Sequence, residues 1–197
     1  IMVKNYVNEI KKLNKKAEVN RACYSDLHKL YKLLDNLINI VVIISSAIVA
    51  ILTFADIEYF RIIFKYINQE SFTLLVGILA SIIFIITLVQ QYLNLSTKSD
   101  ESEIAIKRIT NFIRDTSSLK NEENIDEKKF NQILEDYKKI NEENPVIPDY
   151  IFIRAKSKLN QKIQISRYID KYPMKKIRHI KKELRNKSIE EIDKLLE

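Results

Sequence analysis

The chain has 197 residues, with 33 basic and 26 acidic side chains that give a net charge of +7 at pH 7. Its only glycine is Gly77, and it has three prolines. Dinucleotide-binding and phosphate-binding loops need several glycines, so nucleotide-hydrolysing enzymes are excluded. One cysteine, Cys23, permits no intrachain disulfide, and the distant His28 and His179 allow no metal site of ordinary ligand spacing. The scarcity of helix-breaking residues predicts an all-α protein. The scarcity of glycine, cysteine and histidine predicts that it has no cofactor and no metal.

Residues 1–36 are predicted to form a cytosolic helix with a heptad seam. Apolar residues recur there at spacings of three and four as far as residue 38, interrupted by Asn20. The seam is Val3, Tyr6, Ile10, Leu13, Ala17, Asn20, Tyr24, Leu27, Tyr31, Leu34 and Ile38. One interpretation is a coiled coil between copies, a homo-oligomer whose register Asn20 sets by pairing across chains. The alternative is an amphipathic helix that packs on its own cytosolic domain.

Two uncharged stretches follow, at residues 37–55 and 71–92. A helix of about 18 residues rises about 27 Å, close to the ~30 Å hydrocarbon thickness of a bilayer. A core helix of a soluble protein needs a polar face, and neither stretch has one. Both stretches are therefore predicted to be transmembrane helices. The first apolar run begins only at residue 37, which excludes a cleaved signal peptide.

The distribution of basic residues predicts the orientation. Eight Lys or Arg residues precede the first stretch, two lie in the connection 56–70, and 23 follow the second stretch. The positive-inside rule then places both termini in the cytoplasm and the short connection outside. The fold class is therefore an all-α membrane protein, a two-helix transmembrane hairpin with long cytosolic helical extensions and a C-terminal helical region.

Polar and small residues are not scattered at random within the two stretches. They fall on one face of each helix: Asn39, Ser46, Ala50 and Thr53 on the first, and Thr73, Gly77, Ala80, Ser81 and Thr87 on the second. Small residues let helix backbones approach closely, so one interpretation is packing within the hairpin. The other is a water-filled pore, for which uncharged polar groups imply little ion selectivity. Two helices cannot enclose a channel, so the pore requires oligomerisation.

The chain beyond the second stretch is predicted to be helical and cytosolic. A stalk helix is expected at 93–120, with Ala105, Ile109, Phe112, Thr116 and Leu119 on one face. The basic cytosolic helices of residues 124–197 then follow. The first is capped by Asn124 and ends before Pro145, and the second begins near Pro148 or Asp149 and ends at Pro173. Its inward residues are predicted to be Phe152, Ala155, Leu159 and Ile163.

Residues 154–187 carry thirteen Lys or Arg residues against Asp170 and Glu183. Beside a cytoplasmic membrane face, such a block is predicted to bind anionic lipid headgroups, at about 1 kcal/mol per cation near the surface. Nucleic acid is the less favoured partner because no recognition motif accompanies the charge, and a simple solvated face is the third interpretation. The candidate lipid contacts are Lys175, Lys176, Arg178, Lys181, Lys182 and Arg185.

This arrangement resembles the SLATT family, two-transmembrane effectors of bacterial conflict systems. The resemblance covers nearly the whole chain. It consists of a helix with Arg21, Tyr24, His28 and Tyr31 before the hairpin, a helix with Ala105 and Arg108 after it, and the segment NPVIPDYIFIRA with Pro145, Pro148 and Ala155. It implies an antiviral defence effector that forms a membrane pore when a sensor or nucleotide-signalling partner triggers it, with no enzymatic activity.

Two hypotheses therefore stand. The first is an oligomeric, pore-forming membrane effector. The second is a non-conducting membrane anchor whose basic helices recruit lipid, nucleic acid or a protein partner. Catalysis is the weakest hypothesis, because no nucleophile with a base and no paired carboxylates can be placed in one pocket.

Overall fold

A computed structural model describes residues 6–54, 68–121, 125–185, 187, 191, 192 and 194. Every regular element within these residues is a helix, which confirms the predicted all-α class. In chain order they are α1 (Tyr6–Phe54), α2 (Gln69–Leu93), α3 (Leu95–Ser117), α4 (Glu127–Glu143), α5 (Asp149–Lys171) and α6 (Ile177–Leu184), with a 3₁₀ turn Ser118–Asn121 after α3. The connection predicted at 56–70 lies outside the described residues up to position 67.

The chain divides into two compact units. The apolar unit is His28–Glu101, and the bundle unit is formed by the described residues of Ile1–Leu27 and Ser102–Glu197. The predicted transmembrane stretches fall in the apolar unit. Both lie in helices long and apolar enough to cross a membrane.

Polar caps fix several helix ends. Asn68 Oδ1 accepts a hydrogen bond from Ser71 N at 2.9 Å and starts α2. Asn94 ends it with φ 47° and ψ 45°, a left-handed conformation that asparagine tolerates better than most side chains. One residue thus separates α2 from α3, where a continuous helix was predicted.

The first helix after the 3₁₀ turn begins later than predicted. Its cap is Asp126, which accepts from Lys129 N at 2.9 Å, and not Asn124. An aspartate can cap a helix as well as an asparagine and adds a negative charge at the positive end of the helix dipole. The next helix, α5, begins directly after Pro148, as predicted.

Three helices form the core of the bundle unit. The ring of Tyr6 lies 4.9 Å from that of Phe130, and the Tyr24 hydroxyl donates to Pro145 O at 2.7 Å, so α1 and α4 run parallel. Phe112 contacts Tyr137 with ring centroids 5.3 Å apart, which joins α3 to α4.

The seam residues Ile10, Ala17, Tyr24 and Leu27 are buried inside this unit, together with Ala105, Ile109, Phe112 and Thr116 of the predicted stalk face. The helix therefore packs on its own domain over these residues. Val3 lies outside the described residues.

The buried face of α5 differs from the prediction. Ile151, Ala155 and Tyr168 are buried, whereas Phe152 and Ile163 are exposed. Ile151 and Phe152 lie four and three residues before Ala155, so both are at helical spacing from it, and Ile151 takes the buried side.

A buried polar pair lies between α1 and α3. The Thr116 hydroxyl is 2.7 Å from Asn14 Oδ1 and 2.6 Å from Phe112 O, while Asn14 Nδ2 is buried with no partner among the described residues. A buried amide that is only partly hydrogen-bonded costs stability. The polar residue inside this helix contact is thus Asn14, which the heptad pattern did not single out.

We expect Thr116→Val to lower the free energy of unfolding by about 1–3 kcal/mol, because it leaves the Asn14 oxygen buried without a donor. Adding Asn14→Leu should recover most of that loss, since both polar groups are then gone. Thermal unfolding of the single and double variants in detergent, followed by circular dichroism, measures this. A double variant that is less stable than Thr116→Val would contradict the assignment.

Candidate functional site

The apolar helices leave most of their surface uncovered. Ile43 on α1 is 68% exposed and Phe84 on α2 is 64% exposed. The less exposed positions recur at spacings of three and four, as expected for one face of a helix. They are Ile38, Val42, Ser45, Val49 and Leu52 on α1, and Phe72, Val76, Leu79, Ile83, Ile86, Thr87 and Gln90 on α2.

Two polar contacts join the helices of the apolar unit. Gln90 Nε2 donates to Asn39 Oδ1 at 2.7 Å, and Ser99 Oγ lies 3.1 Å from His28 Nδ1. The order of the partners is reversed along the chain, so the helices run antiparallel at these contacts. Asn39 also donates to Asp35 Oδ2 at 3.1 Å. Asn39, which belongs to one of the predicted polar faces, thus contacts the other helix.

The other residues of the predicted polar faces lie away from this contact. Ser46, Ala50, Thr53, Thr73, Gly77, Ala80 and Ser81 are exposed, and Thr87 is half-buried. A Cβ built on Gly77 meets no atom of the described residues within 4 Å. Packing of these small residues within the hairpin therefore stays a prediction, as does the pore. The exposed side of Thr73, Gly77 and Ser81 forms an open groove with Leu74 and Ile78.

Hydroxyl groups on these faces bond to their own helix. Ser81 Oγ donates to Gly77 O at 2.9 Å, and Thr53 and Thr73 donate to the carbonyls four residues earlier at 2.8 and 3.0 Å. Thr87 does the same at 2.9 Å. Such bonds satisfy a hydroxyl without water or a partner. The exposed faces can therefore contact lipid, a second copy of this chain or water.

Asn20 has partners inside its own chain. Its Nδ2 lies 3.3 Å from Tyr137 Oη and 3.3 Å from Asn141 Oδ1, both on α4. Burial raises the pKa of Tyr137, so its hydroxyl stays protonated and polar at neutral pH. Pairing of Asn20 across chains stays a prediction, but the amide does not need it to be satisfied.

The six predicted lipid contacts are distributed over two concave surfaces and the turn between α5 and α6. Lys175 Nζ donates to Tyr168 Oη at 3.0 Å and to Glu183 Oε2 at 3.2 Å, and it lies 5.0 Å from the Tyr172 ring centroid. These hydrogen bonds, that to Tyr168 first, raise the pKa of Lys175. Lys176 and Lys182 line a groove with His179, whereas Lys181 and Arg185 line a different cavity. Arg178 is exposed. Lys175 therefore holds the turn between α5 and α6.

Two ion pairs join different helices of the bundle unit. Lys158 Nζ lies 2.7 Å from Asp26 Oδ2, and Arg108 lies 3.2 Å from Glu143 Oε2. The half-exposed pairs contribute on the order of 0.2–1 kcal/mol each. Arg108 and Tyr24 both belong to the pattern of the family resemblance. Arg108 contacts Glu143, directly before NPVIPD, and Tyr24 contacts Pro145 within it.

Cys23 and Tyr24 are buried side by side in the bundle unit. Burial, followed by the negative charge of Asp26, raises the pKa of the Cys23 thiol to about 11. Burial, with the neighbouring Cys23 and Tyr137, raises the pKa of Tyr24 to about 12. Both groups are neutral in the folded chain at pH 7, and their deprotonation favours unfolding as the pH rises above about 9.

Searches against protein-family models, curated proteins and solved structures found no match to this chain.

We expect Cys23 to react with a maleimide at pH 7.5 at least about a hundredfold more slowly than an exposed thiol, since both burial and the raised pKa suppress the thiolate. The matched control is Cys23→Ala combined with Lys29→Cys, which places the thiol at an exposed position of the same helix. Denaturant should abolish the difference. Equal rates in the folded proteins would show that Cys23 is accessible.

Proposed function

We propose that this chain is a two-span membrane protein whose termini both lie in the cytoplasm. Two uncharged stretches with exposed apolar surface, one in each long helix, support the spans, and the antiparallel contacts at Asn39 and His28 support a hairpin. The scarcity of basic residues between the spans, Arg61 and Lys65 against 31 elsewhere, supports the orientation. The membrane is the bacterial inner membrane if the resemblance to the SLATT family reflects ancestry.

Within that topology, we propose a membrane effector whose copies assemble and open a pore. The observation that carries this proposal is the exposed position of the polar faces, which point away from the partner helix of the same chain. A lumen between copies needs polar groups on that outward side. Ser46 and Thr53 on one helix and Thr73 and Ser81 on the other supply hydroxyl groups, and Gly77 leaves open space beside them. Uncharged groups in the lumen make conduction weakly selective.

The biological setting comes from the resemblance alone. SLATT proteins are effectors of bacterial defence, so the proposed pore disrupts the membrane of an infected cell after a sensor or nucleotide signal. No catalytic step is needed for this role. The trigger acts on the cytosolic helices, because they hold nearly all of the charged residues.

The second candidate is a non-conducting anchor that displays the basic helices at the membrane surface. Two observations favour it. The hydroxyls of Thr53, Thr73 and Ser81 are satisfied by their own backbone, so they need no water-filled lumen. Asn20 is satisfied within the chain, so the seam needs no second copy. Anionic lipid or a protein partner would then meet the basic helices.

Dye leakage from liposomes separates the two candidates. We expect Ser46→Leu to insert and melt like the unaltered chain but to lose most of the leakage, about tenfold or more, because leucine narrows and dewets the lumen. The neighbouring Ser45→Leu should instead lower the melting temperature, since Ser45 is half-buried on the inner face. Ile44→Leu, at an exposed apolar position, should change neither property.

Leakage that persists in Ser46→Leu at normal stability would remove this face from the pore and leave the anchor as the better account. Gly77→Leu gives a further distinction. Because no described atom of the same chain lies near Gly77, loss of oligomers without loss of stability would assign that groove to contact between copies.

A further inference from the structure

The C-terminal helices enclose a cavity of about 660 Å³ between α5 and α6. Its size falls within the range of small-molecule sites in proteins. The cavity belongs entirely to the bundle unit, and its walls are held by contacts already described. Ile180 of α6 is fully buried, and Lys175 ties the α5–α6 turn to Glu183 and Tyr168.

The face of α5 that lines the cavity is unlike a packing face. Its central part is polar at successive helical turns, with Ser157, Asn160, Gln161 and Gln164. Apolar residues flank this centre, namely Phe152 and Ile153 at one end and Ile165 at the other, and Leu184 and Ile192 lie opposite. Helices that only pack on each other fill such a face with aliphatic side chains. The lining therefore has an apolar floor and a polar centre.

Four cations line the same cavity. Lys156 comes from α5, where its Nζ lies 5.9 Å from the Phe152 ring centroid, and Lys181, Arg185 and Lys187 come from the C-terminal end. No acidic side chain is among the described residues that line it. Like charges around one concave site repel each other and concentrate anions. The arrangement is stabilised when an anion binds.

One buried polar atom in the lining lacks a partner. Gln164 Oε1 is shielded from solvent and has no hydrogen-bond donor among the described residues. A buried acceptor without a donor costs about 1–3 kcal/mol, so such an atom usually meets a ligand or an ordered water. It lies on the polar centre of the lining.

We infer that this cavity binds an amphiphilic organic phosphate, with the phosphate against Lys181, Arg185 and Lys156 and an apolar body over Phe152, Ile153 and Ile165. The chemistry is shared by a soluble aryl or alkyl phosphate and by the headgroup region of an acidic phospholipid. The inference does not depend on pore formation. It assigns some of the many basic residues of the chain to one defined binding site.

The groove on the other side of α6 provides the contrast. Lys175, Lys176, Lys182 and His179 line it together with Glu183, whose carboxylate offsets part of their charge. It has no comparable apolar floor. Non-specific attraction of anions would use both sides of α6, whereas the proposed site uses only the side of Lys181 and Arg185.

The soluble source is tested with 1-naphthyl phosphate, whose fluorescence anisotropy reports binding to the full chain in neutral detergent. We expect saturable binding that Lys181→Gln with Arg185→Gln weakens about tenfold or more, because two charge-assisted contacts are lost. The matched control, Lys176→Gln with Lys182→Gln, removes the same charge from α6 and its cap residues and should stay within about twofold. Inorganic phosphate should compete only weakly, since it lacks the apolar body.

The lipid source is tested in proteoliposomes with Ile153→Trp, which gives this chain its only tryptophan. Brominated phosphatidic acid should quench its fluorescence more than brominated phosphatidylcholine, and the Lys181→Gln, Arg185→Gln pair should abolish the difference. Binding of either probe supports the site and identifies its source.

Absence of saturable naphthyl phosphate binding together with absence of selective quenching would overturn the inference. Equal losses in the two double variants would also overturn it, because surface charge alone then explains binding. Gln164→Leu serves as a control variant that is expected to fold. It removes a buried acceptor that the phosphate does not contact, so it should keep or raise the melting temperature and leave naphthyl phosphate binding within about twofold.

Discussion

The apolar surface that the two long helices leave uncovered is the constraint on which the rest of the molecule depends. Exposure of a large aliphatic side chain to water costs about 1.5–3 kcal/mol relative to its burial. Side chains such as Ile43, Ile51 and Phe84 recur along both helices of the apolar unit. Their summed cost exceeds the 5–15 kcal/mol by which folded domains are usually stable. Something other than this chain must cover them, and a bilayer fits both the length and the absence of charge.

The bundle unit is stabilised by different means. Its helix contacts combine a small aliphatic core with polar pairs, among them Thr116 with Asn14 and Tyr24 with the carbonyl of Pro145. Polar pairs of this kind specify register, because a helix shifted by one residue leaves both groups buried without partners. They explain why Asn20 and Asn14 are accommodated in a mostly apolar face of α1. They also fix the segment around Pro145, from which α5 and the ligand cavity follow.

Much of the helical architecture could be predicted from the sequence, because charge, proline and apolar periodicity are strong local signals. The start of α5 after Pro148 and the buried stripe from Ala105 to Thr116 are examples. Local signals predicted the wrong residue where two residues able to take the same role lie close together in the sequence. Asp126 caps a helix that Asn124 was expected to cap, and Ile151 takes the inward position expected for Phe152.

The site was harder to predict because its properties depend on contacts between distant segments. Periodicity groups Asn39, Ser46, Gly77 and Thr87 on polar faces but does not say which side of each helix meets the other. The sequence also treats Lys175, Lys181 and Lys182 as equivalent cations. Only their placement distinguishes a residue that holds a turn from one that lines a cavity. The polar centre of α5 from Ser157 to Gln164 was visible as a helical stripe, yet only its position opposite α6 marks it as a binding surface.

The most direct test of this account is whether the two apolar helices cross a membrane. Glu70→Cys and Ser96→Cys place a thiol near either end of the second span, and both positions are exposed in the folded chain. An impermeant maleimide applied to intact cells should label Glu70→Cys and should label Ser96→Cys only after the cells are permeabilised. Buried Cys23 keeps the background low. Equal labelling of the two thiols in intact cells would contradict the spans, and labelling of Ser96→Cys alone would invert the orientation.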